Sequence, residues 1–315
     1  MVQTLTRYKS VIFGAVLILV LVIVSVVLPD HWTLVLTRVL IMALFAMSLN
    51  IQTGYAGMMP LGHAMFLGLG GYTFGLLVIN AAIPLAPAFF ISLIICMVIN
   101  AIIGFICLRG KGMAFGLLHL AFNIFTSTLV AKWISLTGGS NGIVGVPRPE
   151  LFADTQSFFY FALVTVAICF IIIRILLNSP YAKIAQGLRE NEERLSFLGI
   201  NVNRFKLVTF IISGAFAGIA GMLLSMLDKG AYPNNVSLLL SVEGFMMCLI
   251  GGMGTFMGPS IGAAIVVIVS VVFSNFVSQW QGVLGVIIIV CVLAFRGGIL
   301  GKRSKLKLLP KGTIK

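Results

Sequence analysis

Apolar residues along this chain fall into runs of about 20, separated by short polar punctuation. Ten such runs can be drawn, at 10–29, 34–53, 58–80, 84–108, 113–134, 157–178, 206–227, 238–257, 260–278 and 281–300. A helix needs about 20 residues to cross ~30 Å of hydrocarbon, and a spanning segment must satisfy its own backbone polar groups. The pattern predicts an all-α integral membrane protein, a polytopic helical bundle of about ten spans. Two runs, the third and eighth, are interrupted by glycine and proline. The first follows Arg7 and Lys9 as a signal peptide would, yet its end, SVVLPDHW, has no small-x-small cleavage motif. It reads as a retained helix. The whole of 1–315 reads as one membrane domain with a polar segment at 179–205 and a basic tail at 301–315.

Composition agrees. Mean hydropathy is +1.13, 60% of residues are apolar and 9% are charged, where soluble domains carry about 25% charged residues. With the N-terminus in the cytoplasm, 17 of the 21 Lys and Arg fall in inner loops and tails. Only Arg38, Lys132, Arg148 and Lys229 fall outside, which predicts both termini inside. The net charge of +13 is thus an orientation signal rather than a nucleic-acid footprint. Five cysteines, Cys96, Cys107, Cys169, Cys248 and Cys291, lie in apolar runs without metal-type spacing and read as small packing residues.

No motor is visible. The nearest approach to a phosphate-binding loop, GFICLRGKGM at 104–113, has five residues between its glycines where four are needed, and Gly112 stands where Ser or Thr should follow Lys111. There is no H-E-x-x-H and no G-x-S-x-G, so neither a catalytic residue nor a metal ligand is expected. Ion-coupled carriers usually need acids within the membrane, and the spans hold only Glu243, read as lying in the first turn of its span, where a helix N-terminus favours it. The chain reads as a pathway without an energy source, and not as an enzyme.

The exception to the apolar pattern is GLRENEERLSFLGINVNRFKL, 187–207, where seven of the 29 charges gather. Ser179 and Pro180 form a helix start, and Gly199 supplies a left-handed stop. Between them Ile184, Leu188, Asn191, Leu195 and Leu198 recur at helical steps, one stripe apolar except at Asn191. Arg189, Glu190, Glu192, Glu193 and Arg194 occupy the other faces, and Asn203 is placed to cap the next span. This predicts one amphipathic helix over 180–198. A helix lying on lipid carries a Lys/Arg-rich polar face; a mixed-charge face suits a protein partner. That partner must bring the ATPase activity this chain lacks.

At this point four ordered stretches resemble a known family. GLRENEERLSFLGINVNRFKLVTFIISGAFAGIAGMLLS (187–225) looks like the cytoplasmic loop and following helix of branched-chain amino-acid ABC transporter permeases of the LivM type. SLNIQTGYAGMMPLGHAMFLGLGGYTFGLL (48–77) and LIGGMGTFMGPSIGAA (249–264) resemble their two glycine-rich motifs, and SLTGGSNGIVGVPRP (135–149) resembles their outer loop. The resemblance covers roughly 34–300. It implies a permease that binds no cofactor itself and works with a second, LivH-like permease, two ATPase subunits carrying ATP and Mg, and a periplasmic binding protein, in the inner membrane. The 180–198 helix would be the coupling helix that enters the ATPase.

Broken apolar segments often mark substrate sites in transporters. The candidate pathway residues are therefore Asn50, Gln52, Gly54, Gly57 and His63 around the first glycine-rich motif, and Gly251, Gly252 and Gly254 in the second. Each polar one is equally suited to cap a broken helix end. His119, Asn123 and Thr126 share one helix face and predict an interior or cavity-facing stripe. Their stretch, LRGKGMAFGLLHLAFNIFTSTLV, departs from the family, where threonine and an acid or amide are expected nearby, so the substrate is less defined than transport. Gly138, Gly139, Asn141, Gly142 and Pro147 mark structured turns on the binding-protein side, because 22 residues is long for a plain connection. Gly214 and Gly218 read as helix-packing positions. An importer of urea or a short amide, and an autonomous ion-coupled carrier or channel, stay open as alternatives.

Overall fold

The computed structural model describes residues 28–274 and 297–301, with isolated positions 22, 23, 25, 282 and 285. The spans expected at 10–29 and 281–300, and the basic tail, lie almost wholly outside these residues. The described chain is helical apart from its connections. In order it forms α1 (Asp30–Asn50), α2 (Ala64–Ile79), α3 (Leu85–Cys107), α4 (Met113–Lys132), a one-turn α5 (Ile134–Thr137) and α6 (Thr155–Asn178). There follow α7 (Pro180–Glu190), α8 (Glu192–Phe197), α9 (Val202–Leu227), α10 (Leu238–Gly251) and α11 (Gly258–Ser274). Two-residue strands β1 (Ile143–Val144) and β2 (Gly230–Ala231) pair antiparallel, Ile143 opposite Ala231.

Five helices are long and apolar enough to cross a membrane: α1 with its continuation to Tyr55, α3, α4, α6 and α9. α2, α10 and α11 are equally apolar but shorter. The centre is set by α1 and α9, whose apolar windows are 72% and 67% buried, against 28% in α3 and α6. α9 packs on α1, α2 and α3, while α11 packs on α1 and α10.

The peripheral helices are inside-out relative to a soluble bundle. On α3 the large residues Phe90, Ile94, Val98 and Ile102 point outward, and Ala88, Ser92, Cys96, Asn100 and Gly104 point inward. Lipid rewards apolar surface as well as a core does, so small residues that let backbones approach take the helix interface. The tightest case is the crossing of α2 and α9. A Cβ on Gly70 would stand 2.1 Å from the Gly218 carbonyl oxygen, and one on Gly221 1.8 Å from that of Leu67. The packing role expected of Gly214 and Gly218 follows the same geometry, Gly214 seating Asn100 and Gly218 seating Cys96.

Both glycine-rich stretches interrupt helices. α1 widens into a π-helical turn over Ile51–Tyr55, and a turn then leads to α2, which begins at Ala64 rather than at 58. α10 ends at Gly251 rather than at 257, and α11 starts at Gly258. Glu243 is displaced from its expected place: Ser237 caps α10 by accepting from the Leu240 amide, which puts Glu243 in the second turn, beyond the helix-end dipole.

Candidate functional site

The two helix breaks meet each other, and one side chain joins them. Asn50, fully buried at the end of α1, donates from Nδ2 to the Thr255 carbonyl (2.9 Å) and accepts on Oδ1 from the Gly254 amide (2.9 Å). An amide supplies donor and acceptor together, so a single residue satisfies two backbone groups freed in the second break. Gly54 lies against this bridge: a Cβ there would be 2.0 Å from Asn50 Oδ1 and 2.4 Å from the Gly254 nitrogen.

The charged segment reaches the same spot. Arg189 donates from Nη1 to the Gly54 carbonyl at 2.6 Å, and Gly57 packs beneath its backbone, where a Cβ would be 3.1 Å from Arg189 Cα. Arg174, at the end of α6, sits over the Phe256 ring 4.9 Å away. Two cations, one near the end of α6 and one at the end of α7, thus brace the two breaks, one on each. Gly251 and Gly252 continue the second break; the amides of Ile299 and Leu300 donate to the carbonyls of Ile250 and Gly251.

The segment itself corrects the expectation of one helix over 180–198. Asn191 has an extended backbone (φ −162°, ψ 108°) and ends α7; its Oδ1 accepts from the Arg194 amide at 2.9 Å and starts α8. Asn191 is therefore a cap and an exposed corner, not a member of a stripe. Leu188 and Leu195 are buried, Ile184 is half-buried and Leu198 is 71% exposed, because the kink turns the last residues away. The start and stop hold. Ser179 accepts from the Tyr181 amide at 3.2 Å, and Gly199 takes φ +79°. The next helix is capped by Asn201, which accepts from the Arg204 amide at 3.0 Å, and not by Asn203. Tyr181 anchors the segment by donating to Thr209 Oγ1 (2.9 Å), and burial pushes its hydroxyl up to about 12 despite that bond. Glu192 turns back to Lys206 Nζ at 2.6 Å. Glu190, Glu193 and Arg194 remain exposed beside Phe197, which is 88% exposed.

Deeper in the bundle the polar candidates are all buried, and most hold backbone. His119 Nδ1 accepts from the Gly62 amide (2.9 Å), and Asn123 Nδ2 donates to the Val236 carbonyl (3.0 Å). Accepting at Nδ1 leaves the His119 proton on Nε2. His63 Nε2 lies 2.9 Å from Ser48 Oγ, whose own proton goes to the Phe45 carbonyl, so His63 donates. Among the described residues Gln52 is the candidate with neither amide atom partnered. The expected interior stripe of His119, Asn123 and Thr126 is buried, tying the first break to the entrance of α10.

Comparison with known proteins decides the kind of molecule. The family described as "Branched-chain amino acid transport system / permease component" matches residues 32–293. The chain belongs to this family. It is 27% identical over 300 residues to the high-affinity branched-chain amino acid transport system permease protein LivM of Salmonella typhimurium, covering 86% of this chain and 71% of that one. It is 24% identical to the probable LivM of Methanocaldococcus jannaschii over 76% of this chain and 81% of that one. To LivH of Salmonella typhimurium it is 25% identical, with 82% and 91% covered. No solved structure matches it. As a member of a permease family with several apolar helices, it is an all-α membrane transport protein.

In this permease the loop at 138–149, at the end opposite α7, is held rather than free. β1 pairs with β2, and Arg148 donates to the carbonyls of Met226 (3.2 Å) and Leu227 (3.1 Å), completing the C-terminal turn of α9. Its guanidinium stacks 4.6 Å over Phe158; burial lowers its pKa, countered by Asp154 and Asp228. Gly139 and Gly142 are buried, and Gly138 is half-buried, leaving Asn141 and Pro147 exposed. Sequence reasoning missed the inward reach of Arg189, the caps at Asn191 and Asn201, and Arg148 as a helix-end ligand. For the two asparagines a local signal existed: Asn191 precedes two acids and Asn201 lies three residues before Arg204.

Proposed function

We propose that this chain is a membrane subunit of an ATP-driven importer of branched-chain or related amino acids, working by alternating access. The observation that carries the reading is Arg189. It belongs to the charged surface segment, yet it bonds directly to the first helix break at Gly54, beside the Asn50 bridge to the second. A push on α7 and α8 therefore reaches both breaks through one guanidinium and one amide. On this reading α7 and α8 form the coupling element. Glu190, Glu193, Arg194, Phe197 and Leu198 face an ATPase, which brings ATP and Mg. Arg189 and Glu192 serve the permease itself.

The names of relatives, LivM and LivH, support pairing with a second permease. Two ATPases and a periplasmic binding protein complete the assembly, the latter meeting Asn141 and Pro147. The orientation that follows places both termini in the cytoplasm of a cell whose inner membrane holds about ten spans. The second break and Gln52 border the pathway that opens and closes. Reconstituting the chain with a sister permease, ATPases and binding protein tests this. ATP-dependent uptake of L-leucine is expected, lost in Glu190→Lys and Gly199→Pro while both variants still insert. Uptake that persists without any ATPase would identify an autonomous carrier and end this reading.

A further inference from the structure

At the end of the bundle opposite α7, a cleft of about 270 Å³ opens between α1, α9, α10 and α11. Its polar lining is Arg38, Asp228, Asn235 and Glu243, with the hydroxyls of Ser270 and Ser274. Met42, Leu240, Met247, Val267 and Val271 supply an aliphatic wall. Arg38 and Asp228 form an ion pair, which uses only part of the guanidinium, since arginine carries five N–H donors. Glu243 has no hydrogen bond or ion pair among the described residues. It stands in the second turn of an apolar helix, where a buried carboxylate is costly unless a cation meets it. Small-molecule sites combine apolar walls with a few placed polar groups.

We propose that this cleft binds a small aliphatic amino acid as its zwitterion. Glu243 receives the ammonium, the free edge of Arg38 receives the carboxylate, and the Met, Leu and Val wall takes the branched side chain. A neutral amide such as urea uses neither charge and leaves the wall bare. The site is separate from the helix breaks and lies at the far end of α9 from the α7–α8 segment. The proposal rests on the importer reading, and it names where the substrate is held after release.

The test uses the assembled transporter in proteoliposomes. Glu243→Gln keeps the shape and removes the charge. Losing a charge-assisted bond worth roughly 1.5–3 kcal/mol lowers L-leucine uptake about 10- to 100-fold. Ser270→Cys, on the cleft lining, gives a second readout that does not depend on altering a charge. Its alkylation by a cationic thiol reagent is slowed by L-leucine and unaffected by 3-methylbutanamide, which has the side chain without the zwitterion. Should an unaltered complex take up no amino acid, the importer reading fails. If it takes up leucine, yet Glu243→Gln transports normally and leucine gives no protection at Ser270→Cys, this site alone is wrong.

Discussion

The two ends of the bundle handle irregular backbone in opposite ways. At the α7 end, two helix breaks and a surface segment are joined by single side chains: Asn50 between the breaks, Arg189 from segment to break, Arg174 over Phe256. At the other end, a backbone ladder makes the connection and one arginine reinforces it. β1 pairs with β2, the amides of Gly145 and Val146 both donate to the Lys229 carbonyl, and Arg148 closes the end of α9. A side-chain joint passes a displacement along one bond and can be remade; a ladder moves as a unit. The contrast places the adjustable joint next to the charged α7–α8 surface and the fixed frame at the other end; on the importer reading proposed above, these are the ends that meet the ATPase and receive substrate.

Substitutions can break this contrast, and their effects are graded. The largest is expected at Gly54, because a side chain there meets a backbone nitrogen that cannot move aside. Gly54→Val should separate the two breaks, lower thermal stability in detergent by at least the roughly 1–3 kcal/mol of an overpacked core, and abolish uptake. Asn50→Asp comes next: the isosteric carboxylate keeps the bond from Gly254 and loses the donor to Thr255. Leaving that carbonyl unsatisfied costs about 1–3 kcal/mol, read as reduced uptake with the complex intact. At the fixed end, Arg148→Ala removes two carbonyl bonds and a ring contact. It should cost about 2 kcal/mol of stability, measured by thermal denaturation, while uptake per folded complex stays unchanged. If Arg148→Ala uncouples transport without destabilising the protein, the division between the two ends is wrong. The smallest effect belongs to Glu192→Gln. An exposed pair with Lys206 is worth about 0–1 kcal/mol and fades with salt, so wild-type uptake is expected at physiological ionic strength.

Much of this was legible in the chain because the signals were local or periodic. Ser179, Pro180 and Gly199 announce their segment through nearest-neighbour backbone chemistry, and the apolar runs report eight of the helices that lie in the described residues. The break at Asn191 was hidden because the leucine spacing runs through it in step with a continuous helix, while the competing cap signal is the weaker pattern. Partners far apart in sequence were not legible at all. Asn50 and Gly254 are 204 residues apart, and Arg189 and Gly54 are 135 apart. Periodicity tells which face is buried, never which backbone group waits there. For the same reason Arg38 and Glu243 were read singly, as an outer-loop charge and a helix-end acid, although the fold brings them to one cleft.

The most direct test measures ATP hydrolysis and L-leucine uptake together in one proteoliposome preparation carrying Arg189→Ala. The substitution leaves the exposed face of α7 and α8 in place and removes the bond to Gly54. Hydrolysis close to wild type with uptake reduced about tenfold or more is the predicted result, an engine running without its linkage. Uptake that stays in proportion to hydrolysis, whether both persist or both fall, would contradict the account.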